Sequence, residues 1–131
     1  MIGLPPSTRV FLCLPPTDMR KSFDGLAALA VDVVRQEPLS GHLFVFRNRR
    51  EDRIKVLYWD RTGFCLFYKR LEQGTFRFPR GLDTTTATTP ADTKPLSARE
   101  VDAADLAMIL EGIDLNDAVR RKRYRAPSTM I

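Results

Sequence analysis

The sequence predicts an α+β fold: a small antiparallel sheet of four to five strands with one helix packed on a face, plus a C-terminal helix after a linker. Apolar and polar residues tend to alternate with a period of two through Leu43–Arg47, Arg53–Trp59 and Phe64–Arg70, as they do in half-buried strands. In residues 22–36 the apolar residues recur at spacings of three and four, which is typical of a helix that packs on a core. Residues 81–96 are rich in threonine and proline and lack either period, which indicates a linker.

The connections between the three central strands are polar and too short for a crossover helix, so these strands form an antiparallel meander. A strand at residues 8–14, bounded by prolines, precedes them, and a short strand at residues 75–78 follows and ends at Pro79. In the middle strand Ile54 and its alternate neighbours share one side, whereas Lys55 and its alternate neighbours share the other. The sequence therefore predicts one apolar face, on which the helix of residues 22–36 packs, and one face that mixes aromatic and basic groups.

The two helices have recognisable ends. Ser22 is a suitable N-cap for the first helix, and Ser97 with Glu100 forms a capping-box pattern that opens the second. Gly112 is placed to end the second helix in a left-handed conformation. These signals predict the following organisation: an α+β domain over residues 1–80, a linker over 81–96, a C-terminal helical segment over 97–119 and a basic tail over 120–131.

Charge is distributed unevenly along the chain. Residues 1–80 contain 14 Lys and Arg against 8 Asp and Glu, whereas residues 81–119 contain 2 against 8. Residues 120–131 contain five basic side chains and no acidic one. Positive charge concentrated in the sheet region and the tail favours a polyanionic partner, although a solvated basic surface without a partner is the alternative.

Basic side chains concentrate around the predicted hairpin turn after Leu43–Arg47 and along the strands beside it. Arginine and lysine at such a site can pair with phosphates, and the indole of Trp59 can stack on an unpaired base. Two alternatives stay open: the turn arginines are simply solvated, and Trp59 belongs to the core or to an interface. The predicted nucleic-acid-binding residues are Arg20, Lys21, Arg47, Arg49, Arg50, Arg53, Lys55, Trp59, Lys69, Arg70 and Arg77.

Little in the sequence points to an enzyme. The single histidine, His42, begins a strand and has no identifiable acidic or nucleophilic partner, and Cys13 and Cys65 lack metal-ligand spacing. Turns and the start of a helix account for the aspartates that might hold a metal, namely Asp18, Asp24, Asp52 and Asp60. We therefore expect no catalytic residue, no metal and no cofactor. The absence of a signal peptide or a long apolar run predicts a cytoplasmic protein without membrane contact.

Four segments of the chain resemble one family, the small accessory proteins, often called TnpB, of bacterial insertion sequences of the insertion-sequence-66 type. The matching segments are residues 16–29 (PTDMRKSFDGLAAL), 40–60 (SGHLFVFRNRREDRIKVLYWD), 63–79 (GFCLFYKRLEQGTFRFP) and 106–115 (LAMILEGIDL). The resemblance implies a non-catalytic role in DNA transposition beside a separate transposase, and it supplies no catalytic residues. The implied partners are nucleic acid, with DNA favoured over RNA, and the cognate transposase.

An alternative function is a protein-interaction module that binds or regulates the transposase without contacting nucleic acid. In that case the acidic second helix docks on a partner protein or on the basic sheet of its own chain. Docking within the chain would mask the positive surface, so deletion of residues 96–131 would strengthen DNA binding.

Overall fold

The computed structural model describes residues 7–79, 97–114 and 119–120. The α+β class is confirmed, with a five-stranded sheet, a helix on one face and a C-terminal helix. The elements are β1 (Val10–Cys13), α1 (Phe23–Leu29, continued by a π-helical turn at Ala30–Val34), a 3-10 turn (Pro38–Ser40), β2 (Leu43–Arg47), β3 (Arg53–Trp59), β4 (Phe64–Arg70), β5 (Ala98–Val101), α2 (Ala103–Leu110), and the paired short strands β6 (Ile113–Asp114) and β7 (Val119–Arg120).

The main sheet is mixed, whereas the sequence predicted an antiparallel one. Its strand order is β4-β3-β2-β1-β5, and all neighbours are antiparallel except β1 and β2, which run parallel. The difference arises because the connection between β1 and β2 contains α1. This helix returns the chain to the end of the sheet at which β1 begins, so β2 runs parallel to β1. β1 has a strand on each side and is buried at all four positions, which explains its uninterrupted apolar sequence.

The helix α1 covers one face of the sheet, but this is the face that carries Lys55 and not the apolar face of Ile54 on which the sequence placed it. Leu26, Ala30 and Val34 are buried there, and they pack in one cluster with side chains of β1, β2 and β3 that include Phe44 and Leu57. The four-residue spacing of the buried positions suits the wider π-helical turn that ends α1. The helix that the sequence placed at residues 22–36 thus forms over 23–34.

The second helix covers the opposite face, and it begins later than its sequence predicted. Residues 98–101 pair with β1 as a strand, so the pattern at Ser97 and Glu100 does not cap a helix. The cap of α2 is Asp102, whose carboxylate accepts a hydrogen bond from the Asp105 amide at 2.7 Å. Pairing with the open edge of β1 satisfies backbone groups that a helix there would leave exposed. The end of α2 is confirmed, since Gly112 is left-handed with φ of 81°.

The residues predicted as a separate C-terminal segment share one hydrophobic core with the sheet. Val101, Leu106 and Ile109 are buried in the cluster that also contains Val45 and Ile54. Both faces of the sheet are therefore covered by helices. The side of the sheet that carries the predicted basic face is covered in its centre by α1, whereas at the end formed by the start of β3 and the end of β4 the residues Arg53, Tyr68 and Arg70 are partly or fully exposed.

The strand predicted at residues 75–78 is not formed. This segment is irregular and crosses the α2 face, where Phe76 and Phe78 join the hydrophobic core. The amide of Phe76 donates to the carbonyl of Glu51 at 2.7 Å, which ties the segment to the β2–β3 turn. Burial of two phenylalanines outweighs continued strand pairing at the sheet edge.

The linker predicted at 81–96 and nearly all of the basic tail predicted at 120–131 lie outside the described residues. Among the residues that the structure does describe, none belongs to a helix with the length and hydrophobicity needed to cross a membrane.

Candidate nucleic-acid interface

The sheet separates the predicted basic residues onto its two faces. Register places Arg53 directly opposite Arg70 and Lys55 opposite Tyr68, all on the face that carries α1. The side chains of Arg47 and Lys69 lie on the other face, with the α2 core. The two sets have different surroundings, so they do not form one continuous basic surface.

Arg47 is held within the protein. Its guanidinium donates to the carbonyl of Phe76 at 3.0 Å, lies 3.9 Å from the ring centre of Phe78 and forms an ion pair with Glu51 at 3.5 Å. Burial lowers the pKa of Arg47, and the nearby charge of Arg77 acts in the same direction. Only 16% of the Arg47 side chain is exposed, so its contacts fasten residues 76–78 to the sheet and leave little room for a phosphate.

Lys69 and Arg77 also have polar atoms that lie within the protein rather than at its surface. The Lys69 ammonium donates to the carbonyl of Leu110 at 2.8 Å, at the C-terminal end of α2 where a cation is favoured by the helix dipole. The Nε atom of Arg77 is buried and has no hydrogen-bond partner among the described residues. Lys69 lies on the face opposite Arg53, and Arg77 lies close enough to Arg47 for its charge to lower the pKa of Arg47.

The β2–β3 turn presents two arginines to solvent. The side-chain oxygen of Asn48 accepts from the Arg53 amide at 2.9 Å, and its amide nitrogen donates to Asp52 at 2.7 Å. These bonds fix the base of the turn, while Arg49 and Arg50 at its tip are exposed. The turn is rigid at its root and carries its charges outward, which suits contact with a partner.

Arg53 connects this turn to the edge strand β4. Its guanidinium donates to the hydroxyl of Tyr68 at 3.4 Å, and its cross-strand partner is Arg70. An open depression of about 580 Å³ is lined by Arg53, Tyr68, Arg70 and Glu72. We define the exposed and partly exposed residues of this region as the Arg53 surface: Arg49, Arg50, Arg53, Tyr68 and Arg70.

A second depression of about 380 Å³ joins the Arg53 surface to the turn before α1. It lies between Asp18 with its neighbours and the β2–β3 turn. Arg20 forms hydrogen bonds with Asp18, which lower the pKa of that carboxyl to about 2, so the pair stays ionised at neutral pH. Lys21 follows on the same turn and is exposed. The side chains of Arg20 and Lys21 are not among those that line this depression, so a role for them in binding stays a prediction.

Several of these cations are not paired with a carboxylate of another described residue. Lys21, Arg49, Arg50 and Arg53 form no salt bridge with another described residue. Arg70 is paired with Glu72 at 3.0 Å, but both side chains are about half exposed, and exposed pairs of this kind contribute little to stability. A phosphate can therefore compete for them at low cost.

Lys55 has a different position from the one that its sequence suggested. It is 6% exposed, and its ammonium donates to the carbonyls of Met19 and Lys21 at 2.7 Å each. The ammonium also lies 4.7 Å from the ring centre of Tyr68. Lys55 thus anchors the turn before α1 to β3, and its charge does not lie at the exposed surface.

Replacing Lys55 with methionine is expected to lower the free energy of unfolding by about 1–3 kcal/mol, because two inward-facing carbonyls lose their donor. Urea denaturation followed by circular dichroism measures this. The matched control is Lys21→Met, which removes the same charge at an exposed position and should change stability by less than about 0.5 kcal/mol. Equal stability of the two variants would contradict the anchoring role.

The aromatic residue of this region is Tyr68 rather than Trp59. Trp59 ends β3, six residues from Arg53 and thus roughly 20 Å away, where its ring packs edge-on against Phe64 at 5.1 Å. Tyr68 is 48% exposed and contacts Arg53. Sequence reasoning missed it, although its register opposite Lys55 follows from the short β3–β4 turn.

The acidic residues show local roles. Asp18 bonds Arg20, Asp52 bonds Asn48, and Asp60 accepts from the thiol of Cys65 at 3.4 Å, a contact that lowers the pKa of Asp60. In the part of the chain that the structure describes, no three His, Cys, Asp or Glu residues are grouped so that they could hold a metal ion.

Comparison with known proteins gives one family. The family described as IS66 Orf2 like protein matches residues 8–120. Uncharacterized protein y4jC of Sinorhizobium fredii is 31% identical over 128 residues, which cover 98% of this chain and 97% of that protein. Uncharacterized protein y4hO of the same organism is 37% identical over 108 residues, covering 82% and 83%. No solved structure matches. The extent of these matches shows that the chain belongs to the IS66 Orf2-like family of insertion-sequence proteins.

Proposed function

We propose that this insertion-sequence accessory protein supports DNA transposition without catalysing it, by binding nucleic acid through the Arg53 surface. One observation carries the proposal: cations lie side by side at an exposed end of the sheet. Arg53 and Arg70 are direct cross-strand neighbours, and like charges in such positions are destabilising. An external anion would relieve that repulsion, and phosphates spaced along a strand offer several at once.

The neighbouring groups support the same proposal. Arg49 and Arg50 project from a turn whose base is fixed by the hydrogen bonds of Asn48, and both line the second depression. Together with Arg53 and Arg70 they form a basic strip that passes from the β2–β3 turn to the edge strand. A role in transposition makes element DNA the favoured ligand over transcript. The local bonding of Asp18, Asp52 and Asp60 supports a role without catalysis.

The test is the salt dependence of DNA binding. Fluorescence anisotropy measures the binding constant at a series of salt concentrations, and the slope of its logarithm against the logarithm of the salt concentration is compared between variants. Replacement of Arg49, Arg50 and Arg53 by alanine should make this slope shallower by about 2–3. Each neutralised phosphate contributes about 0.9 to the slope on duplex DNA and somewhat less on a single strand. The affinity at low salt should fall at least about tenfold, mainly through lost phosphate contacts.

The matched control removes two exposed arginines at other places. Arg35 follows α1 and Arg61 lies in the β3–β4 turn, so Arg35→Ala with Arg61→Ala lowers the net charge as much as Arg49→Ala with Arg50→Ala does. The control pair should leave the slope nearly unchanged. Equal slopes for the two double variants would indicate a general charge effect and contradict the Arg53 surface as the binding site.

A second candidate is the binding of the cognate transposase without nucleic-acid contact. The observation that favours it is the outer side of α1, where Phe23 and Val31 are 43% and 49% exposed. Recovery of the transposase by this protein from nuclease-treated extract, with its loss in the Phe23→Ser, Val31→Ser variant, would support this second function. Recovery that disappears after nuclease treatment would favour the nucleic-acid role.

A further inference from the structure

Tyr68 presents an aromatic ring to solvent from an edge strand. It is 48% exposed on β4, which is an edge strand of the sheet that the described residues form. Its ring has the Lys55 ammonium 4.7 Å from its centre, and its hydroxyl accepts a hydrogen bond from Arg53 at 3.4 Å. Two contacts therefore fix the ring, while much of its surface faces solvent.

The cation beneath the ring is itself immobile. The Lys55 ammonium is fastened to the carbonyls of Met19 and Lys21, so it cannot follow a partner outward. A ring that is already ordered loses little conformational entropy when a ligand covers it. Tyr68 is thus a flat, preorganised platform on the solvent side of the sheet.

Phosphate-binding groups lie beside the platform. The depression of about 580 Å³ next to Tyr68 has Arg53 and Arg70 in its walls, with Glu72 paired to Arg70. A flat apolar surface next to two guanidinium groups matches the two parts of a nucleotide, namely its base and its phosphate. In a duplex the faces of each base are covered by neighbouring base pairs, whereas an unpaired base has a face free for stacking.

We propose that Tyr68 stacks on an unpaired base, with Arg53 and Arg70 on the adjacent phosphates, so that the protein prefers single-stranded over duplex nucleic acid. This inference rests on the proposed function and names the ligand class of the same surface. Stacking on one aromatic side chain and the neighbouring phosphate contacts act independently, because the first depends on the ring and the second on charge.

The experiment measures binding of the full-length protein to a labelled single-stranded DNA of about twelve nucleotides, to its duplex and to the single-stranded RNA of the same sequence. Tyr68→Leu should weaken single-strand binding roughly tenfold to a hundredfold, as expected for one lost stacking partner, without changing the salt slope. Tyr68→Phe keeps the ring and loses only the Arg53 contact, so its affinity should stay within about threefold of the original. Circular dichroism verifies that each variant is folded.

The outcomes separate this inference from the proposed function. Equal binding of single strand and duplex, or a Tyr68→Leu variant that binds the single strand normally, overturns the stacking inference even if the arginine variants still lose affinity. Loss of binding in Tyr68→Leu with retention in Tyr68→Phe supports it. Tighter binding of the RNA than of the DNA supports stacking and assigns the ligand to transcript. Failure of the protein to bind any of the three overturns both proposals.

Discussion

Deletion of residues 96–131 is expected to unfold the protein and to abolish nucleic-acid binding. This is the opposite of the masking hypothesis, in which the acidic second helix covers the basic surface and its removal strengthens binding. The structure places α2 on the face opposite Arg53, where Leu106 and Ile109 are buried against the sheet. The deletion also removes β5 and exposes the edge of β1, a strand that is buried throughout.

The size of the effect follows from the apolar groups that are lost. Val101, Leu106 and Ile109 each contribute about 1.5–3 kcal/mol by burial, which together approaches the whole stability of a domain of this size, roughly 5–15 kcal/mol. Circular dichroism and dye binding to exposed apolar surface detect the unfolding. A chain that ends at residue 120 retains every described residue and is the control. A folded deletion variant with stronger DNA binding would restore the masking hypothesis.

Replacement of Phe76 with alanine is expected to lower the free energy of unfolding by about 3–5 kcal/mol. Phe76 is completely buried although it lies in an irregular segment, and it belongs to the same core as Ile54 and Ile109. Its truncation leaves a cavity between the sheet and the crossing segment. The backbone carbonyl of Phe76 also accepts from Arg47, so loosening of the segment weakens the support of that guanidinium.

Urea denaturation compares this variant with Phe23→Ala, which makes the same chemical change at a side chain that is 43% exposed. The exposed position should lose less than about 1 kcal/mol. Similar losses at the two positions would show that residues 75–78 do not pack as described. The comparison tests the packing of residues 75–78, which the sequence predicted to be a fourth strand of the meander.

The meander was predictable because its signals are local. Alternation through β2, β3 and β4, with short turns between them, sets both strand direction and facing, and each of these strands occurs at its predicted bounds. The left-handed end of α2 at Gly112 is likewise a local property. The partners of β1 were not predictable in the same way, because pairing with β5 depends on residues about ninety positions away.

The site could be predicted only in part, since charge says nothing of burial. Arg49 and Arg50 occur where the turn pattern placed them, exposed at the tip. Lys55 has the same alternation signal as an exposed residue, but the turn at Met19 folds over it and supplies carbonyl partners. Trp59 and Tyr68 could not be ranked from sequence, because their exposure depends on which end of the sheet α1 leaves uncovered.

The position of β1 between β2 and β5 has a consequence for synthesis on the ribosome. Val10 pairs with Leu43 on one side and with Val101 on the other, so β1 receives this second partner only after about ninety further residues have been synthesised. At about 5–20 residues per second, the interval between the synthesis of β1 and that of β5 is roughly 5–18 seconds. Throughout that interval one edge of β1 has unpaired backbone amides and carbonyls. Nascent chains on the same messenger RNA can therefore pair with one another through this edge. The risk ends when β5 emerges from the ribosome and pairs with β1.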